Sequence, residues 1–339
     1  MKILIWGNMT WCMKDIYLQV SQGIGAEIRN WDLVIDREFF DNFDYILTEA
    51  GLGSDCLIKN FGIPRSKIFV TANAEEDCTR MLRTDGNEGI NQYANYGVVS
   101  DTLASGSLAM GITRIPKVLR LGVDCKFYDA LIPQSLKVVG YAASLWRPSE
   151  HGVEIKRGEL ARLAAQQAGL EFKAAVTETM GQGDYRPKNP IPRELMPDFY
   201  RSVDCVVTSS LMEGGSVVSL EAAAAGRLNI STPQGHAARL AYEGLCILGP
   251  LDAEAFVRFT RDTLIYYKNH TEEFRDKCAS IQLAAKTYRD WPVVMEDWQN
   301  FVDRNVDRSV DRSVDRSVDR SVVVNDPSLK GGASARETR

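Results

Sequence analysis

Short apolar runs alternate with segments of helical length along the first third of the chain. Residues 2–6 (KILIW) form an apolar run that stops at Gly7-Asn8, the pattern of a buried first strand feeding a loop. Further short runs at 45–47, 67–70 and 98–100 predict strands, and residues 54–61 and 102–110 between them predict helices. Strands that alternate with helices in this way predict a parallel sheet covered on both faces. Residues 83–97 (RTDGNEGINQYANYG) are polar and glycine-rich and read as a mobile surface loop.

The alternation restarts after residue 130. Strands are predicted at 136–141, 172–176, 204–209, 227–231 and 245–248, with helices at 157–169 and 193–202. In the first of these helices Leu160, Leu163 and Ala164 share a face, and Gly169 supplies the stop. The fold class is therefore α/β: two α/β units in series, joined near 125–136, with the cleft between them as the default site. The domains are assigned to 1–128 and 129–302. Ligands of such sheets bind beyond the carboxyl ends of the strands.

Residues 252–302 read as helical, with Phe256, Phe259, Leu264 and Tyr267 as an apolar stripe. The four-residue repeat VDRN VDRS VDRS VDRS VDRS V follows from 302 to 322. Valines four apart drift around a helix axis, so 303–339 is read as a low-complexity tail, disordered or marginally helical. Self-association through this repeat is the alternative.

Composition narrows the function classes. The 339 residues are 45% apolar with a net charge of −5, enough for two cores and no general footprint for nucleic acid or an anionic membrane. Seven cysteines without a C-x-x-C pair indicate reduced thiols and a cytoplasmic protein. Three histidines argue against a multi-histidine metal site. No apolar run reaches membrane-spanning length.

The chemistry concentrates in MEGGSVVSLEAAAAG (212–226). After the strand at 204–209, residues 211–215 form the loop at its carboxyl end, and Ser216 begins a helix that stops at Gly226. Glu213 then stands at the mouth of the cleft. Gly214 and Gly215 let a ligand approach the backbone. With Ser216 they present first-turn N–H groups suited to phosphate or a sugar hydroxyl. Glu221 lies inside the helix, where a carboxylate suits the vicinal diol of a ribose.

The surrounding run, LMPDFYRSVDCVVTSSLMEGGSVVSLEAAAAG (195–226), resembles the donor-binding signature of the group 1, glycogen-synthase-like retaining glycosyltransferases with two Rossmann-like domains (the GT-B fold). Leu195, Tyr200, Asp204, Ser210, Glu213, Gly214, Glu221, Ala222 and Gly226 carry the likeness, with the family's spacing of seven residues between the acids. LRLGVDCKFYD (119–129) and YRDWPVVMEDWQNFV (288–302) resemble the family's interdomain crossing and closing helix.

The resemblance implies transfer of a sugar from a nucleotide diphosphate sugar, a UDP-sugar first, without cofactor or metal. Glu213 would contact the donor sugar or stabilise charge on it. Glu221 would bind ribose, and the amides of Gly214, Gly215 and Ser216 would hold sugar or phosphate oxygens. Tyr185, Arg186, Ile191 and Pro192 would flank the base. The family's diphosphate-binding arginine is replaced by Ser144, leaving Arg147, Lys156 and Arg157 as the nearby cations, with Arg147 and Lys156 the candidates. On the acceptor side Asn8, Thr10 and Trp11 follow the first strand, and 49–54 and 100–107 are further cleft-loop candidates. The acceptor itself stays open among glycan, protein, modified nucleic-acid base and small molecule. Two other readings stay open: an epimerase or hydrolase using His151 or His236, and a degenerate relative that binds without transfer.

Overall fold

The structure is a computed structural model that describes residues 1–7, 11–31, 33, 35–143, 153–178 and 188–303. Residues 304–339, which carry most of the VDRS repeat, lie outside the described residues.

The first sheet is wholly parallel. Its elements are β1 (Ile3–Gly7), α1 (Trp11–Ile24), β2 (Glu27–Asn30), β3 (Tyr45–Glu49), α2 (Leu52–Lys59), β4 (Ile68–Ala72), α3 (Glu75–Gln92), β5 (Asn95–Val98), α4 (Asp101–Ala109) and β6 (Lys117–Val118). The strand order is β2-β1-β3-β4-β5-β6. Side chains alternate across a strand, and here both faces are covered. Ile5, Leu47 and Phe69 enter one core, and Leu4, Trp6, Ile46, Ile68 and Val70 enter the other. That two-sided burial is why the strands read as continuous apolar runs.

The second sheet is also parallel, with an added hairpin. It is built from β7 (Val138–Tyr141), α5 (Gly158–Gln167), β8 (Glu171–Ala174), the antiparallel pair β9 (Val176–Glu178) and β10 (Lys188–Pro190), α6 (Met196–Arg201), β11 (Cys205–Thr208), α7 (Val217–Ala224), β12 (Leu228–Ser231), α8 (Ala237–Tyr242) and β13 (Ile247–Leu248). The order is β13-β12-β11-β7-β8. Gly169 and Gly226 end α5 and α7 with φ of 63° and 67°, the left-handed conformation of a helix stop. Three helices follow, α9 (Ala253–Asn269), α10 (Thr271–Tyr288) and α11 (Trp291–Val302).

The last of these returns to the first sheet. Asp297 makes a two-pronged ion pair with Arg120 at 2.6 and 3.0 Å, and Trp298 Nε1 donates to Arg120 O at 3.1 Å. Asn95 Nδ2 donates to Phe301 O at 2.9 Å, and the Phe301 and Phe69 rings lie 5.7 Å apart. The chain crosses between the sheets beside this helix, where Val123 N donates to Arg289 O at 2.8 Å. Residues 1–302 accordingly form one compact unit.

Two expectations are corrected. Residues 83–97 are not a surface loop: they are the second half of α3, which departs from helical geometry only at Gly86, and most of β5. Asp77 accepts from Asn73 N and Ala74 N at 2.8 and 3.0 Å and starts the helix, whose polar sequence buries Cys78, Met81 and Ile90. The strand expected at 98–100 ends at Val98, because Ser100 Oγ accepts from Leu103 N at 3.1 Å and begins α4. Among the described residues no helix is long and apolar enough to cross a membrane.

Candidate active site

The second sheet reverses direction at β7: the chain leaves it for β8 on one side and later adds β11 on the other. Such a switch point opens a crevice beyond the carboxyl ends of the strands. A cleft of about 470 Å³ lies there, lined by Tyr141, Lys156, Glu213, Gly215, Ser216 and Glu221 among others.

The loop after β11 and the start of α7 form one wall. Ser216 Oγ accepts from Ser219 N at 3.4 Å and caps the helix. Ala222, Ala223, Ala224 and Ala225 are fully buried, and α7 packs on α10, where Gln282 Nε2 reaches Ala224 O at 3.4 Å. The alanine run is thus a packing surface that seats the helix end against the sheet. His236, wholly buried, contacts Ser216 O through Nε2 at 3.0 Å. Burial first, and the Arg289 charge second, push its pKa down to about 3, so the neutral ring donates.

Gly214 answers a steric demand from the other sheet. A Cβ on it would lie 1.6 Å from Asn73 O, in the loop after β4. Gly214→Ala must therefore displace backbone, and we expect it to cost about 1–3 kcal/mol in denaturant unfolding. Gly214 lines a second cavity of about 200 Å³, together with Asn73, Glu75 and Glu76. Glu213 and Lys156 border both cavities.

Glu213 Oε1 accepts from Ser210 Oγ at 2.7 Å and forms an ion pair with Lys156 Nζ; both side chains are largely buried. Lys156 is set in place through its backbone. Its N–H donates to Glu154 Oε1 at 2.7 Å, and its carbonyl accepts from Tyr141 Oη at 2.8 Å and Ser209 Oγ at 3.2 Å. Arg157, with φ of 51°, turns away: its guanidinium donates to Ser209 O at 2.8 Å and Leu251 O at 2.9 Å. It ties the loop to the sheet.

Glu221 is 2% exposed. Tyr200 Oη donates to its Oε2 at 2.7 Å, and Arg193 Nη1 donates to its Oε1. Burial raises the Glu221 pKa, and the Arg193 charge and the hydrogen bonds oppose that rise. Arg193 also donates through Nε to Asp15 on α1, and its guanidinium lies 5.4 Å from the Tyr128 ring centroid. This arginine was not among the residues expected from sequence. It stands 28 residues before Glu221 and 178 after Asp15, so no local pattern marks it.

Of the residues expected from sequence, Lys156, Glu213, Gly215, Ser216 and Glu221 meet in one cleft, and Ile191 and Pro192 line it too. Asn8, Thr10, Ser144, Arg147, His151, Tyr185, Arg186 and the side chain of Trp11 lie outside the described residues. In the 49–54 loop, Glu49 accepts from Tyr17 Oη at 3.0 Å, and Gly53 has no space for a Cβ beside Thr48. Among the described residues no group of three His, Cys, Asp or Glu side chains is placed to hold a metal ion.

Residues 137–264 match the family model described as Glycosyl transferases group 1. No curated protein matches the chain. Among solved structures, sucrose-phosphate synthase from Thermosynechococcus elongatus is similar at a TM-score of 0.64 and 11% identity, over 92% of this chain and 99% of that one. HepE from Anabaena in complex with UDP-glucose is similar at 0.64 and 12%, over 92% and 100%. A glycosyltransferase from Rickettsia africae is similar at 0.62 and 11%, over 89% and 99%. At these identities the likeness is one of fold, and the fold is GT-B.

Proposed function

We propose, for a chain whose residues 137–264 form a Glycosyl transferases group 1 domain on a GT-B fold, that it moves a sugar from a nucleotide diphosphate sugar to an acceptor hydroxyl with retention at the anomeric carbon. One observation carries the reading. Glu213, Lys156, Glu221 and the capped start of α7, drawn from separate segments of the second domain, face a single cleft at the switch point of the sheet.

In this reading Glu221 receives the ribose diol. Gly215, Ser216 and the first turn of α7 take phosphate oxygens, as helix starts do. Lys156 stabilises the departing nucleotide diphosphate, and Glu213 contacts the donor sugar and offsets positive charge developing on it. In this reading no metal takes part. Among possible donors a UDP-sugar is favoured by the fold's likeness to a protein bound to UDP-glucose. The acceptor enters through the smaller cavity between the sheets, which Glu213 also borders.

The epimerase reading loses one of its histidines, since His236 is buried and committed to Ser216. The test is a thermal-shift and donor-hydrolysis screen across nucleotide sugars, run with EDTA and beside Glu221→Ala. One donor is expected to stabilise the protein and be slowly hydrolysed, with EDTA without effect and stabilisation lost in the variant. A donor that binds without any turnover would replace transfer with binding alone.

A further inference from the structure

We propose that Arg193 is a donor-diphosphate residue held in reserve: in the unliganded protein it clasps the first domain to the second, and donor binding moves it onto a phosphate. The inference rests on the donor-site reading above.

The cation inventory leads to it. Arg157 is committed to backbone carbonyls. Among the described residues the cations lining the 470 Å³ cleft are Lys156 and Arg193. Arg193 is the fork-shaped one, suited to a diphosphate.

Its present partners are carboxylates on both sides of the domain boundary, Asp15 on α1 and Glu221 on α7. The guanidinium also lies over the Tyr128 ring, 5.4 Å from its centroid. A further cavity of about 510 Å³ lies on the α1 side, lined by Asp15, Gln19, Tyr128, Arg193 and Glu221. Arg193 is therefore a partition between two spaces, with room to move on either side.

Charge supplies the reason to move. Glu213 pairs with Lys156, and Glu221 and Asp15 share Arg193, so both cations of the cleft are already paired with carboxylates. A phosphate oxygen competes with carboxylate for the same guanidinium. Taking it releases Asp15 and frees one oxygen of Glu221 for the ribose. Donor binding thereby unfastens an ion pair between the domains.

The experiment compares the affinities of UDP and uridine, with the ADP/adenosine and GDP/guanosine pairs alongside, for wild type, Arg193→Gln and Asp15→Asn. The ratio within a pair isolates the diphosphate. Arg193→Gln is expected to lower the diphosphate advantage about ten- to a hundredfold, while Asp15→Asn raises it by removing the competitor. An unchanged ratio in Arg193→Gln, or an equal gain for UDP and uridine, overturns the assignment. An unchanged or lowered ratio in Asp15→Asn overturns it too, and decides by itself should Arg193→Gln not fold. A wild-type protein that binds none of the pairs overturns the donor-site reading, and the clasp falls with it.

Discussion

Glu213→Gln is expected to slow sugar transfer by about 10²–10³-fold, the usual cost of removing one preorganised group from charge that develops in the transition state. The nucleotide should bind as well as before or better. Glu213 now holds Lys156 Nζ, and with Ser210 it anchors the point where the two cavities meet. Glutamine fills the same space and still accepts from both donors, so the fold is kept. It removes the negative charge that competes with phosphate for Lys156. Transfer rates at saturating donor, paired with UDP titrations, separate the two effects. A variant with undiminished rate would remove Glu213 from the chemistry, and one that loses nucleotide binding in proportion would make it a binding residue.

The largest stability effect is expected at Arg289. Its side chain is 1% exposed and donates to both oxygens of Glu243, at 2.6 and 3.1 Å. Its backbone carbonyl receives Val123 N, the bond that fastens the interdomain crossing. Arg289→Ala leaves Glu243 nearly buried with only Arg239 beside it, itself half exposed and therefore a weak substitute. Removing one partner of a buried pair costs about 3–5 kcal/mol, and the lower end is expected here because Arg239 remains. Urea unfolding measures it. Replacing both partners together, as Arg289→Met with Glu243→Leu, is expected to recover most of the loss, since neither charge is then stranded. A double variant no better than Arg289→Ala would show that the arginine acts through packing alone.

Much of this architecture is legible along the chain. The unbroken apolar run before Gly7 reads as a two-sided strand because parallel strands bury both faces. Gly169 and Gly226 read as helix stops because few other residues adopt the left-handed turn without cost. Composition misleads where burial is sparse. The segment 83–97 has the polarity of a loop, yet it buries Ile90, Tyr93 and Tyr96. The polar edge strand β2, with its alternating exposure, carries no apolar run to find.

The stretch 212–226 shows the division most clearly. Within 212–226, the turn, the cap at Ser216, the small-residue face and the spacing of the two acids are local properties, set by backbone freedom and side-chain size over a few residues. What those acids touch is another matter. Glu213 meets Lys156 from 57 residues away, Glu221 meets Arg193 from 28, and Arg193 meets Asp15 from 178. The last contact joins α1 to the second half of the chain, where α11 also packs on α1 and β5 within one compact unit. Ion pairs between distant segments leave no periodic trace in a sequence, because their geometry is settled by how whole sheets pack. That packing brought Gly214 against Asn73 of the first sheet, with no space for a Cβ. It also brought an unremarked arginine into the lining of the cleft.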